Sequence, residues 1–170
     1  NHLDIPKNVN FYRALLAVYG ETGDVDKTLF AFNCLQLDGF AADGSCYQYA
    51  MGACQESSDW EVAVELFKKM VKDGIPINSI TFNTVINTCM VAGKWDLGLH
   101  FFELMKDMQV PKLESTFNIL IDGADISKKP DDALAFFTQA KTAGVSPTIM
   151  TFNVLLSALR HKSDEALLGL

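Results

Sequence analysis

Apolar residues recur along this chain at helical spacing, in stretches broken at regular intervals. Over residues 79–113, Phe82, Val85, Ile86 and Cys89 follow the i, i+3, i+4, i+7 rhythm of one helix face, and beyond Gly93 a second face appears as Leu97, Phe101, Phe102 and Met105. Two such helices joined by a short turn predict an antiparallel helical hairpin. The matching second-helix faces are Val64, Phe67 and Met70 before it, and Leu134, Phe137 and Ala140 after it. The turn within each pair holds Gly23, Ser58 or Gly93; in the fourth, Pro130 stands where a first helical turn tolerates a missing amide. Gly39, Gly74 and Gly144 follow the second helices, where a left-handed residue caps the last carbonyls, and Pro76 or Pro147 then prevents continuation. Gln109 replaces the glycine at the third junction, which is therefore expected to cost more to close, although Pro111 still ends the helix.

The hairpins repeat in strict register. Tyr12, Tyr47, Phe82, Phe117 and Phe152 are spaced 35 residues apart, the last three in the frames Thr81-Phe82-Asn83, Thr116-Phe117-Asn118 and Thr151-Phe152-Asn153. A period of this length marks a helical repeat array. It divides the chain into the end of one repeat (1–8), four full repeats (9–43, 44–78, 79–113 and 114–148) and an incomplete fifth (149–170), expected to supply one helix and the beginning of the next. The tail assignment rests on Ile5-Pro6-Lys7-Asn8, which parallels Ile75-Pro76-Ile77-Asn78 two periods later. Neither end has the polar character of a capping repeat, so the chain is expected to be an excerpt of a longer solenoid. One hairpin cannot bury both its faces, so stability is expected from stacking, with all five aromatics in the core.

The order of aromatic-Asn, aliphatic pair, turn glycine, Ala-Leu-x-x-Phe-x-x-Met, Gly-Val/Ile and Pro resembles the pentatricopeptide repeat (PPR) over essentially the whole chain. Val145-Ser146-Pro147-Thr148-Ile149-Met150-Thr151-Phe152-Asn153 is the most specific segment. The tetratricopeptide repeat has a shorter period of about 34 residues, and its Trp and Leu-Gly signature is absent from the first helices. The resemblance implies an all-α fold, a right-handed superhelical solenoid of two-helix repeats whose first helices line a concave groove. It implies binding of single-stranded RNA in a mitochondrion or chloroplast, each repeat holding one base between the residue after the aromatic and the last residue of the repeat. Reading one base per helical repeat through two or three side chains is an established mode. The pairs so placed are Arg13 with Asp43, Gln48 with Asn78, Asn83 with Leu113, and Asn118 with Thr148; Asn153 has no partner in this chain.

Base reading requires an amide or hydroxyl for the Watson–Crick edge and a second short polar group to orient it. Only Asn118 with Thr148 meets both conditions, and it suits a pyrimidine weakly. Leu113 cannot orient Asn83, Arg13 is expected to pair with Asp43, and Gln48 is long for a reader. The residues placed to wedge between bases are Asn10, Ser45, Ile80, Ser115 and Met150, of which Ile80 and Met150 are apolar. Where family members often carry a groove lysine, this chain has Glu21, Glu56, Val91, Ile126 and His161. Since phosphate neutralisation supplies most non-specific affinity for nucleic acid, this lining opposes RNA.

Composition sharpens the picture in one respect. The chain is 49% hydrophobic with no apolar run long enough to span a bilayer, yet its formal net charge is −7, concentrated in the amino-terminal half. Cys34, Cys46, Cys54 and Cys89 show no metal-ligand spacing and read as small buried hydrophobes; His2, His100 and His161 are scattered. Asp24, Asp26, Asp131 and Asp132 lie at second-helix starts, where they complement the helix dipole. The Phe101-Phe102 and Phe136-Phe137 doublets belong to the core. No cofactor, small-molecule substrate, membrane contact or enzyme chemistry is indicated for this segment. Two functions fit: an RNA-binding solenoid of organelle gene expression with a degraded base code, or a scaffold gripping protein subunits of an organellar assembly such as a ribosome or transcription complex.

Overall fold

The structure, a computed structural model, describes residues 8–168, with side chains described through residue 160. His2 and Ile5-Pro6-Lys7 therefore lie outside the described residues, as does the side chain of His161. Among the described residues there are nine helices and no strand: α1 (Val9–Glu21), α2 (Val25–Leu37), α3 (Gly44–Ser57), α4 (Trp60–Lys72), α5 (Ser79–Val91), α6 (Trp95–Asp107), α7 (Glu114–Ile126), α8 (Pro130–Thr142) and α9 (Ile149–Leu168). The odd-numbered helices each begin 35 residues after the last. Contacts divide the chain into two units, Asn1–Ile77 and Asn78–Leu170. In the first, α1 packs on α2 and α3, and α3 on α2 and α4. In the second, α5 packs on α6 and α7, and α7 and α8 both pack on α9 and on each other. First helices therefore stand side by side within each unit, with second helices behind them.

The repeating aromatics form the core of each unit. Tyr12, Tyr47, Phe82 and Phe117 are all buried. Tyr47 meets Phe32 edge-on at 4.9 Å between ring centroids, and Phe117 meets Phe102 likewise at 5.9 Å. Phe152 departs from the expectation: it is 49% exposed. Phe137 covers one side of its ring at 5.5 Å, and the described residues supply no further hairpin for the other side. Helix α8 also differs. Its inward stripe runs through Ala133, Phe136, Phe137 and Ala140; Leu134, about 100° round the helix from Ala133, is exposed, and both phenylalanines are only half-buried. In α6 the stripe is Gly98, Phe101, Phe102 and Met105 with Trp95, and Leu97 is half-buried. Cys34 is half-buried too, whereas Cys46, Cys54 and Cys89 are in the core. Finally, α9 is one unbroken helix of 20 residues instead of a helix followed by the start of another.

Left-handed residues end the helices at both kinds of junction. Gly23, Ser58, Gly93 and Lys128 sit inside the hairpins, and Gly39, Gly74, Gln109 and Gly144 between them, all with positive φ. Gln109 thus adopts the conformation its glycine counterparts adopt, at φ 55°, where a Cβ crowds the following carbonyl. In the fourth hairpin the left-handed Lys128 makes the turn, and Pro130 opens α8 in its first turn as expected. Gln109→Gly is expected to raise stability by about 1 kcal/mol, the relieved strain exceeding the added chain entropy of glycine. A urea midpoint equal to or below that of the parent would contradict it.

Two close approaches depend on missing side chains. A Cβ on Gly20 would stand 2.7 Å from the Tyr49 carbonyl oxygen, so α1 and α3 touch backbone to side-chain-free surface. Met90 threads between α6 and α7, where a Cβ on either Gly98 or Gly123 would lie 2.7 Å from its side chain.

The first unit has a device absent from the second. The hydroxyl of Tyr12 donates to Asp38, and that of Tyr47 to Asp73 at 2.5 Å. Both aspartates cap helix C-termini, where a carboxylate opposes the dipole unless a donor reaches it. At the corresponding positions of the second unit, Phe82 and Phe117 lack the hydroxyl and the caps are Met108 and Ala143. The hydrogen bond to Asp38, then burial, pushes the Tyr12 hydroxyl from 10.0 up to about 12. Burial and then Asp73 raise Tyr47 as well. A pKa raised on folding contributes stability that is complete below the unfolded value and lost as pH rises through the folded one. Melting temperature is therefore expected to fall between about pH 10 and pH 12 through this link, and less steeply in a Tyr12→Phe, Tyr47→Phe variant.

Candidate nucleic-acid interface

The residues placed for base reading lie on the first helices, and the last residue of each repeat is the N-cap of the next first helix. That position has competing duties. Asp43 accepts the Cys46 amide at 3.0 Å, and Asn78 accepts the Thr81 amide at 3.0 Å and its hydroxyl at 3.2 Å. Both side chains are thereby held by their own backbone. At Leu113 and Thr148, the relation is reversed: Thr116 Oγ1 and Thr151 Oγ1 accept the capping residues' amides, each at 3.1 Å.

In the first unit, Arg13 pairs with Asp43 and reaches Asn10 Oδ1 at 3.4 Å. Burial works to raise the Asp43 pKa, but the Cys46 amide and Arg13 outweigh it and hold the carboxyl below its ordinary range. Arg13 is committed to this ion pair. Gln48 is exposed on α3, and Glu21 and Glu56 are exposed at the ends of α1 and α3.

In the second unit, Asn83 is occupied at both ends of its amide: Nδ2 donates to Ser115 Oγ at 2.9 Å and Oδ1 accepts from Thr116 at 2.8 Å. Leu113 indeed orients nothing, but the next first helix does, and Asn83 serves as a strut between repeats. Asn118 and Thr148 are joined through a residue that sequence reasoning passed over. Glu114 Oε1 accepts from Thr148 at 2.6 Å, from Asn118 Nδ2 at 3.0 Å and from Thr151 at 3.2 Å. These donors, Thr148 foremost, hold the Glu114 carboxyl below its ordinary pKa. The only sequence signal was an acidic residue opening the repeat, four positions before the reader, which by itself reads as a first-turn charge.

Asn118 is 7% exposed, and its Oδ1 is buried without a hydrogen-bond partner. It lines a cavity of about 290 Å³ with Asn87, Ser115, Ile119, Asp122, Met150 and Val154. Met150 and Ile80 are exposed, and so is Asn153. Burial, and then the neighbouring Asp125, raise the pKa of Asp122. Val91 and Ile126 are about half exposed. Burial pushes the Cys54 and Cys89 thiols up to about 12 and about 11, away from the reactive thiolate. Among the described residues no cluster of His, Cys, Asp and Glu could hold a metal ion, and no helix is long and apolar enough to cross a membrane.

Helical hairpins in 35-residue register, with polar side chains presented by the first helices, define an all-α repeat solenoid. A model of the pentacotripeptide-repeat region of PRORP matches residues 38–166, and the chain belongs to this family of PPR proteins. Among solved structures, PPR10 from maize superposes with a TM-score of 0.80 at 18% identity, over 95% of this chain and 23% of its own. PPR10 in complex with an 18-nt psaJ RNA element gives 0.71 at 27% identity, over 87% of this chain and 22% of its own. The PPR domain of Arabidopsis thaliana protein-only RNase P 1, in complex with tRNA, gives 0.75 at 16% identity, over 92% of this chain and 83% of its own. The chain thus spans less than a quarter of PPR10. No curated protein sequence matches it.

Proposed function

We propose that this chain is a non-catalytic PPR segment that binds single-stranded RNA along the face of its first helices, reading few bases, and that it serves RNA metabolism in a mitochondrion or chloroplast. The observation that carries the reading is Asn118 at the reading position, held by Glu114 at the edge of a cavity bordered by an exposed Met150. That PPR10 and the RNase P 1 domain are seen with RNA supports the ligand class. Asn83 is engaged at both ends of its amide, the Asn78 carbonyl oxygen caps its own helix and Arg13 pairs with Asp43, which supports a sparse code.

The test is titration of fluorescent single-stranded and double-stranded RNA at several salt concentrations. Single strands are expected to bind and duplexes not to. The slope of log affinity against log salt is expected to stay shallow, no more than about two phosphates' worth at roughly 0.7 each, because lysines are missing from the expected groove positions. Equal binding of both forms, or of neither, overturns the reading. The acidic Glu21, Glu56 and Asp122 favour the second reading, a scaffold for a basic protein segment, and binding of such a segment without RNA binding would establish it.

A further inference from the structure

We propose that the outer face of α2 is a protein-docking surface, and that it takes an amphipathic partner helix with an apolar stripe and a basic end. Phe30 and Leu37 stand 71% and 85% exposed on that face. At about 100° per residue they lie on one line, roughly two turns and 10 Å apart, opposite the buried Thr28, Ala31, Phe32 and Leu35. The half-buried Leu29 and Cys34 widen the stripe on either side. The repeat itself shows what a neighbouring hairpin covers. One period later the same positions are Glu65 and Lys72 on α4, and both are exposed although α2 stands beside them, with Lys69 Nζ donating to Gln36 at 2.6 Å and lying over the Phe32 ring. On α8 the counterparts are Ala135 and Thr142, exposed although Trp95 and Phe102 of α6 meet its Phe136. A stacked repeat thus leaves this line uncovered, and does not account for a phenylalanine and a leucine there.

The surroundings fix the chemistry of the occupant. Asn33, on the same face, leads into a groove of about 220 Å³ between α2 and α4, lined by Leu29, Phe32, Val62 and Leu66 with Glu65 and Lys69 beside them. It has room for an apolar side chain reaching over the stripe. One turn before Phe30, Asp26 borders a depression of about 610 Å³ that it shares with Asp24, Asp59 and Glu61 at the amino-terminal ends of α2 and α4. Asp24 and Asp59 each spend one oxygen on capping, and Asp24 also binds Lys27 at 2.6 Å. Asp26 and Glu61 are exposed first-turn carboxylates. An apolar stripe that ends in carboxylates suits a helix with apolar side chains every three or four residues and lysine or arginine at one end. A second copy of this chain is disfavoured, because each carries a net charge of −7 and the same carboxylates. Anionic lipid is repelled by the same charges.

The experiment titrates this chain against a fluorescent synthetic helix of about five turns, with leucines along one face and lysines at one end, and against a twin carrying glutamates in place of the lysines. The basic peptide is expected to bind at least roughly fivefold more tightly than its twin, and to shift the amide NMR signals of α2 and α4 but not those facing out from the first helices. Phe30→Glu, Leu37→Lys installs the residues that α4 carries at these positions. It is expected to keep the parent's melting temperature and to weaken the basic peptide at least about tenfold, the loss of two apolar side chains from the contact. Leu37→Lys alone, expected to lose part of the affinity, keeps the test valid if the double variant melts early. No binding of either peptide, no preference between them, affinity unchanged in the variants, or shifts confined to the first helices would each overturn the proposal. So would a parent dimer that the double variant dissociates in sedimentation, or binding of the parent to phosphatidylcholine vesicles that the double variant loses, since the face would then belong to a second copy or to lipid. The proposal does not rest on the RNA reading: RNA titrations of the parent decide that one, and the peptide titrations this one.

Discussion

Replacing Phe82 or Phe117 by alanine is expected to cost about 3–5 kcal/mol, the range for large-to-small changes of a buried aromatic. Both rings are almost completely buried, and Phe117 loses an edge-on contact with Phe102 besides. Phe152→Ala is the internal control. Its ring is half exposed and held on one side only, by Phe137, so the same deletion is expected to cost about 1 kcal/mol from the smaller apolar area withdrawn from water. Urea unfolding followed by circular dichroism measures all three. Because a repeat array is stabilised by each hairpin and its neighbours, the central substitutions are also expected to broaden the transition. Equal losses at all three positions would contradict the difference in burial on which the argument rests.

The double variant Glu21→Lys, Glu56→Lys is expected to bind single-stranded RNA far more tightly at low salt than the parent. Both glutamates are exposed, at the carboxyl ends of α1 and α3. Each new phosphate contact steepens the salt slope by about 0.7 on single strands. At roughly 50 mM salt that is close to an order of magnitude per contact, and about a hundredfold for two. The gain is expected to vanish as salt approaches 1 M. Lysine at a helix carboxyl end also complements the dipole, so the variant is expected to stay folded. Unchanged, negligible RNA affinity in both forms, with weaker capture of a basic protein segment by the variant, would favour the scaffold.

Much of the architecture was legible because it depends on local periodicity. The interval between aromatics, the helical spacing within each repeat and the stop signals at Gly39, Gly74 and Gly144 are properties of neighbouring residues, and the structure places helices and left-handed caps there. The family followed from the same register. Even Gln109 was readable, since a glycine position filled by another residue keeps the conformation the junction demands. Where a face depended on which side a neighbour packs, the pattern misled: Leu134 belongs to an apolar series, yet the small Ala133 and Ala140 set the contact of α8 and turn Leu134 to solvent.

The site was less legible, for a physical reason. The pairs implied by the family resemblance name candidate readers, but not which of their donors are already spent. Asn83 and Asn118 occupy identical Thr-Phe-Asn frames, and the local difference is Glu114 four residues before Asn118 where Ser79 precedes Asn83. Asn83 is bound at both ends by Ser115 and Thr116, whereas Asn118 is held by one end on Glu114 with the other unpartnered. By itself, then, the sequence determined the repeat and its register, since these follow from the 3.6-residue turn and the 35-residue period. Only the tertiary structure decided which donors and acceptors of Asn83 and Thr148 are already spent, because their partners lie more than 30 residues away in the neighbouring repeat.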